Sequence, residues 1–187
     1  MWTLDHPKEA EYIQELTNSS DRAAAIIAHA LVDTRLKATI KAALRQDKTI
    51  QDELFETGKG LESFYDRSTL GYLMSLYNKD ALNDLRCLNS IRNRFAHYLE
   101  FSSFDDQAIR DKCKNLKLIE RCVLEPGIKT PAHTTGLFHN EIGDLLIIEI
   151  GANELLKRPK QRFLLTAKLF SYALSEWPRI GMPRPNI

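Results

Sequence analysis

No stretch of this 187-residue chain approaches the roughly 20 consecutive apolar residues that cross a bilayer, which excludes a membrane-spanning helix within it. Cysteine is scarce. Cys87, Cys113 and Cys122 are odd in number and lack the paired spacing of a zinc site, so they read as reduced thiols. Residues 1–7 have neither the basic nor the apolar stretch of a leader, and a cytoplasmic location is expected. An excess of one charge is missing too. Lys plus Arg number 26 against 25 Asp plus Glu, so no global basic field advertises nucleic acid, and any such surface must be a local patch. Gly58-Lys59-Gly60 lacks the G-x-x-x-x-G-K-[ST] spacing and a preceding strand, which excludes a P-loop and leaves a glycine loop. There is no internal repeat, and no helix-turn-helix with a basic recognition helix.

What is present is an ordinary globular composition, 43% hydrophobic and 27% charged, in a chain long enough for one sizeable core. The pattern predicts an all-α fold: a single helical bundle over 1–178, decorated by one short β-hairpin near 136–150 and followed by a flexible tail over 179–187. A short helix over 7–16 precedes a long one that starts at Ser20 or Asp21 and runs to about Leu44, with its apolar side on Ile27, Ala30, Leu31, Thr34 and Ala38, extended by Ile40 and Leu44. Leu61 to Tyr77 has helical spacing and a cap at Asp66 or Ser68, and Asn78-Lys79-Asp80 turns the chain into a second helix over about 80–98. These two form a hairpin. Ser103 and Asp106 make a capping box for a helix from Asp105 to Leu124, and Pro126-Gly127 ends it. Residues 128–136 read as loop, and Pro159 opens a final helix that Pro178 closes.

The chemistry concentrates in Ile91-Arg92-Asn93-Arg94-Phe95-Ala96-His97, at the end of the hairpin's second helix. Phe95, with Leu85 and Leu88, belongs to the apolar stripe; the polar members can hold phosphate or move a proton. Basic residues at a helix C-terminus are also what the helix dipole favours, and an ion pair of Arg92 with Asp33 or Asp84 is the competing structural expectation. His133 and His139 have no ligand-spaced neighbours, and neither metal nor cofactor is expected.

Arg92-Asn93-Arg94-Phe95-Ala96-His97 resembles the R-N-x-x-x-H signature of the HEPN superfamily, helical proteins known mainly as metal-independent endoribonucleases of toxin, defence and RNA-processing systems. The segments Ser20 to Leu44, Leu54 to Leu73, Phe104 to Asp111 and the Arg162-Phe163-Leu164 helix are similar to proteins of the mannitol operon repressor-like family. The first resemblance implies an RNA substrate and a catalytic set of Arg92, Asn93 and His97. His97 would be the acid or base for 2′-OH attack, Arg92 the phosphate clamp and Asn93 an orienting group. Arg94 and Tyr98 would contact substrate, and His29 and Asp33, one turn apart, would support the site from the first long helix. At about 100° per residue Arg92 and His97 lie roughly 140° apart, so they meet in one site only if the helix loosens near Ala96 or a second subunit completes the site. A homodimer, with an antitoxin or regulatory protein as a further partner, follows from that resemblance. The second resemblance implies a non-catalytic transcriptional regulator acting through protein partners.

Overall fold

The computed structural model describes residues 15–16, 18–56, 58–97, 103–121 and 156–180, with the side chains of 121, 172 and 175–180 outside that description. Tyr98, the expected hairpin over 136–150, the loop at 128–136, most of the 7–16 helix and the tail beyond 180 lie outside it. The described chain is all-α, with seven helices and no strand among the described residues: α1 Asp21–Ala43, α2 Lys48–Phe55, α3 Phe64–Leu73, α4 Lys79–His97, α5 Gln107–Lys114, α6 Leu118–Arg121 and α7 Pro159–Ile180. None of them is long and apolar enough to cross a membrane.

Helix α1 is the axis of the bundle. It lies along α7 and packs against α4 and α3, while α5 and α6 bridge α4 to α7. Ser20 caps it, its side chain accepting from the Ala23 N–H at 3.2 Å. Its buried side is Ala24, Ala25, Ala28, His29, Val32, Leu36, Thr39 and Ile40. This corrects most of the stripe expected from the sequence, for Ile27 is 47% exposed and Ala30, Thr34 and Ala38 face outward, while Ile40 is buried and Leu44 packs against the core as expected. Alanines on both sides leave the helix weakly amphipathic, and the branched Val32, Leu36 and Ile40, at four-residue spacing, fix which side meets α7.

The expected division of 61–77 at Asp66 or Ser68 does not occur. Ser63 caps α3 by accepting from the Asp66 N–H at 3.0 Å and donating to the Asp66 carboxylate at 2.6 Å. The helix ends in paired bonds, Leu76 N–H to Gly71 O at 3.0 Å and Ser75 N–H to Tyr72 O at 2.9 Å, with Ser75 at φ 58° where glycine is usual. Asn78 then caps α4 by accepting from the Ala81 N–H. Inside this hairpin the buried Tyr77 hydroxyl donates to Ser68 O at 2.7 Å. A Cβ on Gly71 would stand 2.5 Å from that hydroxyl oxygen and 2.9 Å from the ring. Gly71→Ala is therefore expected to destabilise the protein by about 1–3 kcal/mol through overpacking, read as a lower urea midpoint at unchanged slope.

The helix expected from Asp105 to Leu124 is two helices, α5 and α6. Asp106 does reach back to the Ser103 N–H at 3.1 Å, but the chain turns at 115–117. The buried Asp84 carboxylate of α4 accepts from Lys117 N–H at 3.1 Å and Leu118 N–H at 2.9 Å, and Arg162 of α7 donates twice to Leu116 O and once to Glu120. These tertiary bonds replace helical ones, and they bury Leu116, Leu118 and Ile119. Helix α7 runs to Ile180, two residues past Pro178. Proline cannot donate to the carbonyl four residues back, which is that of Leu174. The buried Thr39 hydroxyl of α1 stands 2.8 Å from that oxygen and 2.9 Å from Arg35 O, and its single proton satisfies the freed carbonyl when it is turned toward α7.

Candidate functional site

The polar segment of α4 divides between the inside and the outside of the bundle. Ile91 and Phe95 are fully buried, and Phe95 stacks on Phe104 at 4.8 Å, which stacks on Phe163 at 5.4 Å. This aromatic row holds the end of α4 against α7. Arg92, half-buried, turns toward α1: its Nε lies 3.5 Å from His29 Nδ1, and its other guanidinium nitrogens include one donating to Asn93 Oδ1 at 2.7 Å. His97 is exposed at the last turn of α4. Arg92 and His97 are thus not brought together within the subunit, as their angular separation predicts. Arg94 lies half-buried on the flank of α4.

His29 and Asp33, predicted as supporting residues, meet α3 and α4 as members of a buried polar cluster. His29 is 1% exposed and its ring sits 4.4 Å from that of Phe64. Burial first, then the Arg92 charge, lower its pKa from 6.5 to about 4, with Arg67 adding to the shift and Asp33 and Asn89 opposing it. The ring is therefore neutral near pH 7, and because Nδ1 faces a donor its proton resides on Nε2. That nitrogen is buried, and although Asn89 stands beside the ring, no acceptor meets it at hydrogen-bonding geometry among the described residues.

Asp33 pairs with neither Arg92 nor solvent alone. Its Oδ1 accepts from Arg67 Nε at 3.0 Å and Nη2 at 2.6 Å, while Arg67 Nη1 donates to Leu61 O at 2.7 Å and Glu62 O at 2.6 Å. The expected alternatives for Arg92 are both corrected, since Asp33 is held by Arg67 and Asp84 by the backbone of 117–118. Arg67 itself was not singled out in the sequence. Its signal is position: Phe64, Arg67, Ser68 and Gly71 form the buried side of α3, so a cation stands where an apolar residue is expected.

Chemically, the inner cluster fixes α1, α3 and α4 to one another through charge-assisted bonds, and Arg92 is engaged in it. Among the described residues no group of three or more His, Cys, Asp or Glu could hold a metal ion. The thiols of Cys87 and Cys113 are pushed up by burial, to about 11 and about 12, which makes them unreactive.

No protein-family model and no curated protein matches the sequence. A solved structure does. The chain is similar to one in the X-ray structure of the MtlR–HPr complex from Escherichia coli, at 17% identity and a TM-score of 0.59, over 90% of this chain and 99% of that one. At that identity the likeness is one of fold. It covers most of the chain and accords with the wider resemblance carried by 20–44, 54–73, 104–111 and 162–164.

Proposed function

We propose that this protein is a non-catalytic regulator of the mannitol operon repressor-like kind, acting by binding a partner protein. The observation that carries the reading is the likeness of fold, over 90% of this chain, to a chain solved in complex with the protein HPr. An RNA-cleaving centre needs clamp and proton-transfer group around one phosphate. Within one subunit Arg92 faces His29 and Asn93 while His97 stands exposed at the helix end, so such a centre would need a second subunit to complete it. The likeness to a chain solved in complex with HPr supports a protein as the ligand.

The endoribonuclease reading makes the opposite prediction, and one set of proteins separates the two. Wild type, His97→Ala and Arg92→Ala are incubated with a panel of RNAs in EDTA, and the wild type is used in parallel as bait, with the retained protein identified and its stoichiometry measured by light scattering. The expected result is intact RNA throughout and a defined protein complex. Cleavage by the wild type that disappears in both variants would overturn the proposal.

A further inference from the structure

Among the described residues, the outer line of α4 carries no acid. At about 100° per residue, Lys79, Asn83, Arg86, Ser90, Asn93 and His97 lie within roughly 40° of one line down the helix. Lys79, Asn83 and His97 are exposed and the other three are half-buried. Asp80 lies about 100° around α4 from Lys79, whereas the exposed Asp66 shares a side of α3 with Thr69 and Leu73, where its carboxylate already accepts from Ser63. Helix α5 adds a further cation, Lys112, whose Nζ donates to Ser90 Oγ at 2.7 Å. Among the described residues, positive charge and neutral donors therefore run the length of the outer side of α4, with Asp66 of α3 beside them and already bonded to Ser63.

Helix α3 lays an apolar row beside it. Tyr65, Thr69, Tyr72 and Leu73 recur at helical spacing, with Tyr65 53% and Leu73 71% exposed. The two rows are joined. The Arg86 guanidinium lies 4.3 Å from the Tyr65 ring centre and donates to Thr69 at 3.1 Å, and Lys79 Nζ lies 5.3 Å from the Tyr72 ring centre. These contacts hold the cations in place on the surface rather than leaving them to swing in solvent, which lowers the ordering cost of binding.

We infer that the α3–α4 face is the docking surface for an acidic, partly apolar segment of a partner protein, whose carboxylates meet Lys79, Arg86, Lys112 and His97 and whose apolar side chains cover Tyr65 and Leu73. Charge complementarity selects the occupant, and the apolar row selects its class. A nucleic-acid backbone would satisfy the cations but brings nothing for Leu73, and the near-neutral chain supplies no wider field to hold it. A peptide offers both chemistries at once. The inference rests on the partner-binding function proposed above and places it on the molecule.

The test titrates the full chain with a fluorescent 16-residue peptide of Glu, Leu and Tyr, its Glu→Gln counterpart, and a 20-nucleotide single-stranded RNA. Binding of the acidic peptide should weaken at least tenfold in the Gln counterpart and in the Lys79→Glu/Arg86→Glu double variant, and should fall with salt. Lys59→Glu, on the exposed glycine loop, should leave it unchanged. Circular dichroism and thermal melts establish that the variants fold. Peptide binding indifferent to Lys79→Glu/Arg86→Glu, no peptide binding, or tighter binding of the RNA to this same face would each overturn the inference. The two levels separate cleanly. A partner captured by the wild type and held equally by the double variant refutes this surface and leaves the regulatory reading standing. Peptide binding at this face by a wild type that forms no defined partner complex and cleaves RNA does the reverse.

Discussion

Arg67→Ala is expected to cost the fold about 3 kcal/mol, the low end of the range for removing one partner of a buried charged pair. The Arg67 side chain is 7% exposed and makes four hydrogen bonds to three acceptors, the Asp33 carboxylate and the carbonyls of Leu61 and Glu62. Alanine leaves all three without their donor. Asp33, at 29% exposure, recovers part of its loss from water, whereas the Leu61 carbonyl is buried with the bond it made. The melting temperature should drop by roughly 6–12 °C for a chain of this size. A double-mutant cycle with Asp33→Ala gives the decisive reading: the pair should cost clearly less than the sum of the single changes. Strict additivity would mean that Arg67 acts only through packing.

Acidification gives the second large effect, and its source is His29. In the unfolded chain this group titrates near 6.5, while in the fold it is held down to about 4, first by burial and then by Arg92. The unfolded state thus binds more protons between those values, so stability from this group is fully present above pH 6.5 and is lost as pH falls toward 4. At 1.36 kcal/mol per pH unit the loss is about 3 kcal/mol. Asp84 works in the opposite sense: burial raises its pKa despite the Leu118 and Lys117 N–H groups, so its contribution falls as pH rises above the ordinary carboxylate range. Asp21 is held low by Phe104, Ser103 and Lys160 even though burial opposes them, and it contributes only at more acid pH. Comparison with His29→Asn isolates the histidine, because the amide does not titrate and its oxygen can still accept from Arg92. Urea midpoints should fall steeply from pH 6.5 to 4 in the wild type and much less in the variant. Equal slopes would place the dependence elsewhere.

Both predictions concern one cluster, and it shows how far the sequence reaches. His29 and Asp33 are recognisable as a polar pair one turn apart on a helix, and Arg92 as a cation near a helix end, because helical spacing alone relates residues within an element. Nothing in spacing links Asp33 to Arg67, 34 positions away, or Arg92 to His29, 63 away. Only the packing of α1 against α3 and α4 creates those pairs. The same division holds for the helices. Ser20 as a cap and the break at Gly58 are local events decided by hydrogen-bonding side chains and backbone freedom, and both stand where the pattern places them. The break at 115–117 is decided by Asp84 and Arg162, and the passage of α7 through Pro178 is helped by Thr39, none of them local.

The sequence by itself determined the all-α class, most helix positions, and the location of the polar segment from Arg92 to His97, since these follow from period, capping and composition. It also set the 140° that separates Arg92 from His97. Tertiary structure alone decided which side of α1 is core, because a helix with alanine on two faces presents two apolar choices and only its neighbours select one. It decided too that Arg92 turns inward to a neutral His29 while the side of α4 that carries Lys79, Arg86, Asn93 and His97 is turned away from the core. A charged side chain's role depends on what desolvates it and what meets it, and both are properties of the packed bundle.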